Sequence, residues 1–184
     1  MHGLALEDAP AVLAIDVGGA TTELTLGRGI VIEDATSLPV GALALTELAG
    51  RDLARARASV AAAVATTDLT ARAAARSAVV VASGGTATAL AALALGLARY
   101  DPRRVHGTLL ETDRLASLAA DAAGAPIDPG RAAILPAGAC ILDGVMRATS
   151  SRAMRVSDHG VRHAYLREAL ARRGVHASMR RLWD

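Results

Sequence analysis

The sequence predicts an α/β domain built on one mixed sheet. Three features predict it: alternating strand patterns at the front, a compact β-branched run ending in a glycine turn, and Ala-rich helical stretches around them. Ala11–Asp16, Thr21–Gly27 and Gly29–Ser37 read as strands, and Gly27-Arg28-Gly29 joins the last two as a hairpin. Leu38-Pro39-Val40-Gly41 changes the chain direction. Helix follows from Ala42 to about Ala75, broken near Thr66-Thr67-Asp68, where Asp68 can cap a second short helix. Ser77–Ala82 reads as a buried strand running into Ser83-Gly84-Gly85-Thr86, with a helix to about Leu97. Tyr100–Gly107 is a loop anchored by Pro102, and Thr112 caps a helix to about Ala123. Gly124–Gly130 connects to a helix over Arg131–Ala148, in which Pro136 predicts a kink or a broken start. Arg152–Ser157 is a strand, and Asp158 caps a last helix to about Arg173. The sum is about five strands flanked by helices.

The 184 residues are 52% apolar but only 2% aromatic, with no Phe, so the core must be Ala, Leu and Val packed through close approach. Twenty basic residues against 18 acidic ones leave a charge of +2, and Tyr100, Tyr165 and Trp183 are scattered. That gives no stacking platform or concentrated basic patch, so no DNA partner is expected. The single Cys140 excludes an internal disulfide and reads as a buried inert thiol. No run reaches the ~18 consecutive apolar residues of a membrane helix. The front of the chain lacks a basic signal-peptide region, so a cytoplasmic location is expected by default.

The chemistry concentrates in Asp16-Val17-Gly18-Gly19-Ala20-Thr21-Thr22-Glu23, a strand–glycine turn–strand segment. Glycines let backbone approach an anion and adopt positive φ, and successive N–H groups form an anion-binding concavity. Thr21 and Thr22 add hydroxyls. Asp16 and Glu23 would repel the anion, so their role would be to hold a divalent cation or orient water beside it. The competing reading is a glycine hairpin with solvated carboxylates. Gly84-Gly85-Thr86 opens a helix, whose free N–H groups and dipole also suit an anion. There the alternative is a strand-to-helix turn capped by Ser83 or Thr86. His159 and His163 lie four apart on the last predicted helix, a metal-binding spacing or a packing pair. No Gly-x-Ser-x-Gly elbow supports nucleophilic catalysis.

These residues resemble the Ppx/GppA family of exopolyphosphatases and guanosine pentaphosphate phosphohydrolases, within the actin-like ATPase superfamily. Asp16–Glu23 matches its Asp-Ile-Gly-Gly-Gly-Ser-Thr-Glu signature, with Ala20 in place of the third glycine. Leu38-Pro39-Val40-Gly41-Ala42, Leu45-Thr46-Glu47, Ser83-Gly84-Gly85-Thr86, Tyr100, Val105-His106-Gly107, Leu135-Pro136-Ala137-Gly138 and Val156–Arg162 follow in the family's order. The resemblance implies an actin-like (ribonuclease H-like) lobe and a Mg²⁺-assisted phosphoanhydride hydrolase that releases terminal phosphate from polyphosphate or pppGpp. By position it assigns Asp16 and Glu23 as catalytic and metal-holding acids. Gly18, Gly19, Ala20, Thr21, Thr22, Gly84, Gly85 and Thr86 become the phosphate-binding residues. The family's general-base glutamate lies upstream of the signature. Residues 1–10 therefore read as the end of a first lobe, 11–173 as the second lobe and 174–184 as a frayed tail. A chain of this kind is expected to be weak or inactive alone, and to form a homodimer or associate with a first lobe. Two rival readings follow: a non-catalytic polyphosphate- or nucleotide-binding module, and another actin-like ATPase such as a sugar kinase.

Overall fold

The computed structural model describes residues 4, 6, 9–29, 31–124 and 127–160. Six strands form one sheet: β1 (Val12–Val17), β2 (Thr22–Arg28), β3 (Val31–Leu38), β4 (Val79–Ser83), β5 (Leu109–Glu111) and β6 (Ala153–Val156). Their order across the sheet is β3-β2-β1-β4-β6-β5. The first three make an antiparallel meander, β1, β4 and β6 run parallel, and β5 returns antiparallel on β6. The sheet is mixed as the sequence predicts, with six strands in place of about five. The added one is β5, only three residues long.

Seven α-helices complete the fold among the described residues: α1 (Ala42–Ala49), α2 (Leu53–Val64), α3 (Leu69–Ala75), α4 (Gly84–Ala94), α5 (Pro102–Val105), α6 (Leu115–Ala120) and α7 (Pro129–Ala148). The long helical stretch after Gly41 breaks twice. Besides the break before α3, Gly50 takes φ +56° and ends α1, and the Asp52 side chain caps α2 by accepting from the Arg55 N–H at 3.0 Å. The Tyr100–Gly107 loop contains the single turn α5, with Pro102 at its start and the Asp101 carboxylate as cap. Thr112–Arg114 is a 3₁₀ turn leading into α6. Pro129 belongs to α7, not to the connector. It starts the helix, and Asp128 caps it by accepting from the Arg131 N–H at 2.9 Å. α7 runs through Pro136 as one 20-residue helix. The residues of the last predicted helix from 161 onward, His163 included, lie outside the described residues. His159 and Gly160 precede them in a loop.

Strand alternation sets the core. Leu13, Ile15 and Val17 on β1 share a face with Leu24 and Leu26 on β2, and all are buried in one cluster with the helices. The opposite face carries a small cluster of Leu4, Val12 and Val81. α7 packs against α1, α2, α4 and α6. The expected close approach is visible there: a side chain at Gly144 would overlap Val60 of α2, and one at Gly138 would come within 2.6 Å of Thr86 of α4. No described helix is long and apolar enough to cross a membrane.

Candidate functional site

The three parallel strands β1, β4 and β6 deliver their C-terminal ends to one cleft. In open α/β sheets this is where ligands sit, outside the carboxyl ends of strands whose connections diverge. The cleft holds about 570 Å³. Asp16 of β1 and Gly18 and Gly19 just after it line one side, and Gly84, Gly85 and Thr86, the start of α4 directly after β4, line another. Both glycine segments predicted from sequence thus meet at one place.

Asp16 is the centre of this geometry. It stands directly opposite Glu23 on β2 and beside Ser83 on β4. Burial pushes its carboxyl above the usual range, a Ser83 hydrogen bond opposes this, and the Glu23 charge adds to it. Gly84 takes φ +85°, and a Cβ there would strike the Asp16 carboxylate oxygen. Only glycine lets the second loop rest on that carboxylate. Ser83 occupies the N-cap position of α4, yet its side chain makes no cap hydrogen bond. It turns instead toward Asp16 and the Ile15 carbonyl. The first amides of α4 are therefore not capped by Ser83, and Gly84, Gly85 and Thr86 border the cleft.

The first loop works differently from the positive-φ turn the sequence suggests. Gly18 and Gly19 keep ordinary φ values, and Ala20 is not among the described non-glycine residues of positive φ, which are Ser77 and Ser150. Alanine at 20 is therefore unstrained. The Gly18 N–H donates to the Thr21 carbonyl at 2.9 Å, closing the turn. The Gly18 and Gly19 carbonyls accept from Ala42, Leu43 and Ala44, so the loop caps α1. Gly41 makes this fit possible, because a Cβ there would lie 2.5 Å from Ala20 backbone atoms.

Other predicted site residues stand apart from the cleft. Thr22 is fully buried and donates to the Val40 carbonyl at 2.7 Å. Glu23 is exposed and accepts from the Ser37 hydroxyl at 3.1 Å. Ala20 and Thr21 form the outer turn and do not border the cleft. Against this, the structure adds Thr88, Tyr100, Arg131, Asp158 and Gly160 to the lining. Arg131 brings a guanidinium close to Gly85, 3.5 Å from where a Cβ would stand. Tyr100 donates its hydroxyl to the Asp158 carboxylate, and burial together with that carboxylate raises the phenol's pKa strongly. The family-like order of Tyr100 and the segment around Asp158 was the only signal for these two.

For a cation, the donor chemistry fits Mg²⁺. Mg²⁺ keeps several waters and is commonly held by one or two carboxylates plus substrate phosphates. Asp16 and Asp158 provide such carboxylates within the cleft. No group of three or more potential metal-ligating side chains exists among the described residues. Cys140 is half-buried away from the cleft, and burial pushes its thiol up, consistent with an inert residue.

Fold and site together define an α/β domain on a mixed six-stranded sheet, with two glycine loops meeting across one cleft. The sequence profile of the Ppx/GppA phosphatase family matches residues 1–173, and the chain belongs to that family. Its fold is similar to the Ppx/GppA family member of Aquifex aeolicus, at 24% identity and TM-score 0.71, covering 89% of this chain and 57% of that one. An exopolyphosphatase-like protein aligns at 23% identity and TM-score 0.73, covering 87% of this chain and 60% of its own. An exopolyphosphatase from Cytophaga hutchinsonii aligns at 16% identity and TM-score 0.73, covering 91% and 59%. The chain thus spans 57–60% of the length of these solved structures. No curated protein matches it in sequence.

Proposed function

We propose that the chain is the phosphate-gripping lobe of a phosphoanhydride hydrolase, of the type that releases terminal phosphate from polyphosphate or pppGpp. The observation that carries this is the seating of Gly84 on the Asp16 carboxylate, which brings both glycine loops to one cleft at the ends of three parallel strands. Phosphoryl transfer needs little covalent help from protein; it needs positioning and charge stabilisation. The start of α4 offers backbone N–H groups and the positive end of its dipole to a phosphoryl oxygen. Arg131 adds a full positive charge on the same side. Asp16, with its raised affinity for a proton, is suited to accept a hydrogen bond from the attacking water or to orient it. Mg²⁺, held by Asp16 with Asp158 nearby, would neutralise charge on the phosphate oxygens. Glu23 acts one step back, through its charge on Asp16.

The same reading gives weak turnover by residues 1–184 alone. The solved relatives extend well beyond the matched region, and a phosphate chain held from one side stays open to water. Association with a first lobe, or with a second copy, would close the cleft. The test is phosphate release from polyphosphate and pppGpp with Mg²⁺, paired with calorimetry on tripolyphosphate, pppGpp and ATP. Binding of tripolyphosphate or pppGpp with slow release supports the proposal. Binding with no release at all would mark a non-catalytic binding module, and preference for ATP with a sugar acceptor would mark a kinase. No binding to any of the three overturns the phosphate reading.

A further inference from the structure

We infer that Asp158 is a working carboxylate of the cleft and that Tyr100 and His106 are its positioning residues. This rests on the cleft being a phosphate site. Asp158 follows β6, the third of the parallel strands, and is held at several points. The Tyr100 hydroxyl donates to its carboxylate. Its own N–H donates to Nδ1 of His106 at 3.3 Å. The His106 ring stacks on His159, with centroids 4.3 Å apart and planes inclined by 28°. Immediately before Asp158, the Ser157 N–H donates to the Ala82 carbonyl at 2.8 Å, and the His159 N–H returns to the Ser157 hydroxyl at 3.2 Å. The segment is thereby tied to β4 just ahead of Gly84. Tyr100 itself lines the cleft together with Thr88 of α4, whose hydroxyl donates to the Gly84 carbonyl at 3.0 Å.

So much bonding around one exposed-end carboxylate fixes where its charge sits. A fixed carboxylate beside a phosphate site repels a bare anion and attracts one that carries a cation. Asp158 therefore makes the cleft prefer the Mg²⁺ complex of a phosphoanhydride over the free anion. The sign of that effect separates a working carboxylate from a structural one. A residue that only supports the fold shifts both affinities in the same direction.

The experiment is calorimetry of tripolyphosphate binding to the full chain, with and without Mg²⁺. Asp158→Asn should tighten binding of free tripolyphosphate and weaken binding of its Mg²⁺ complex, each by about fivefold or more. Tyr100→Phe should give the same pair of signs at smaller size. The positioning role is read separately, from hydrogen exchange of the Asp158 amide in labelled protein. His106→Phe keeps a ring for the stack but removes the acceptor, and should speed that exchange at least about fivefold. His106→Asn restores an acceptor oxygen at nearly the same place and should leave exchange close to wild type. Affinities that move together, or not at all, in Asp158→Asn overturn the role of Asp158 while leaving the cleft a phosphate site. Unchanged exchange in His106→Phe overturns the positioning role. A wild-type chain that binds no tripolyphosphate in either condition overturns the phosphate reading and the Asp158 role with it.

Discussion

Gly84→Ala should separate the geometry of the cleft from its chemistry. Gly84 sits at φ +85° with the Asp16 carboxylate where a Cβ would go. Placing an L-residue in left-handed backbone costs about 1–2 kcal/mol. Displacing the carboxylate or the loop adds about 1–3 kcal/mol of overpacking. The sum, about 2–5 kcal/mol, is a large share of the stability of an ordinary domain. Urea unfolding followed by circular dichroism should show it as a lower midpoint at unchanged slope. The two contributions can be pulled apart with Asp16→Ala. Removing the carboxylate relieves the overlap but not the backbone strain, so the double variant should recover about 1 kcal/mol or more relative to additivity. Gly19→Ala is the control. Its Cβ would lie 3.7 Å from Leu43 Cβ, an ordinary contact, and its φ is not positive, so it should stay within about 0.5 kcal/mol of wild type. A Gly84→Ala protein as stable as wild type, or a strictly additive double variant, would refute the seating of the second loop on Asp16.

Four further outcomes are expected. Ser77 and Ser150 each follow a helix end in left-handed backbone, at φ 48° and 54°, with the paired carbonyl bonds of a Schellman turn; Ser77→Gly and Ser150→Gly should each stabilise by about 0.5–1 kcal/mol, seen as a higher melting temperature. Thr22→Val loses a buried 2.7 Å hydrogen bond to the Val40 carbonyl and should cost about 1–2 kcal/mol in chemical denaturation while leaving tripolyphosphate affinity unchanged. Gly144→Ala would press on Val60 and should destabilise by about 1–3 kcal/mol, with the α2–α7 contact loosened in hydrogen exchange. Glu33 of β3 pairs with Arg76, the residue that follows α3, and Asp34 with Arg72 of α3, and these hydrogen bonds lower both carboxyl pKa values. Folded values below unfolded ones give a contribution present above the ordinary carboxylate range and lost as pH falls through the lowered values; a denaturation series from pH 6 down to about pH 2 should show that loss, and high salt or Arg76→Gln should shrink it.

The central strands were legible because their alternation is long and their boundaries are marked by glycine. Leu109–Glu111 was not, since three residues carry no periodicity and the strand exists only through its pairing with β6. α5 was hidden for a similar reason, being a single turn set by Asp101 and Pro102. In the site, sequence proximity misled in one respect. Thr22 and Glu23 adjoin the glycine loop in the chain, but strand alternation sends Thr22 into the core and Glu23 toward β3. Conversely, Tyr100, Arg131 and Asp158 are far from both glycine loops in sequence. Parallel pairing of β4 with β6 and the packing of α7 on α4 bring them in, and neither is visible in a local pattern. The glycines were recognised, yet their reasons differ from the expected one. Gly84 needs both its backbone and its bareness, Gly41 needs bareness alone, and Gly19 needs neither.

The carbonyls of Gly18 and Gly19 serve as the cap of α1. A helix held this way is capped by backbone alone, so loop and helix share one hydrogen-bond network. The outer surface of α1 carries Leu43 and Leu48, each about half exposed. Leu43 thus belongs at once to that exposed surface and, through its N–H on the Gly19 carbonyl, to the backbone of the cleft wall. The outside of α1 and the inside of the cleft are therefore two sides of one hydrogen-bonded unit, one peptide apart.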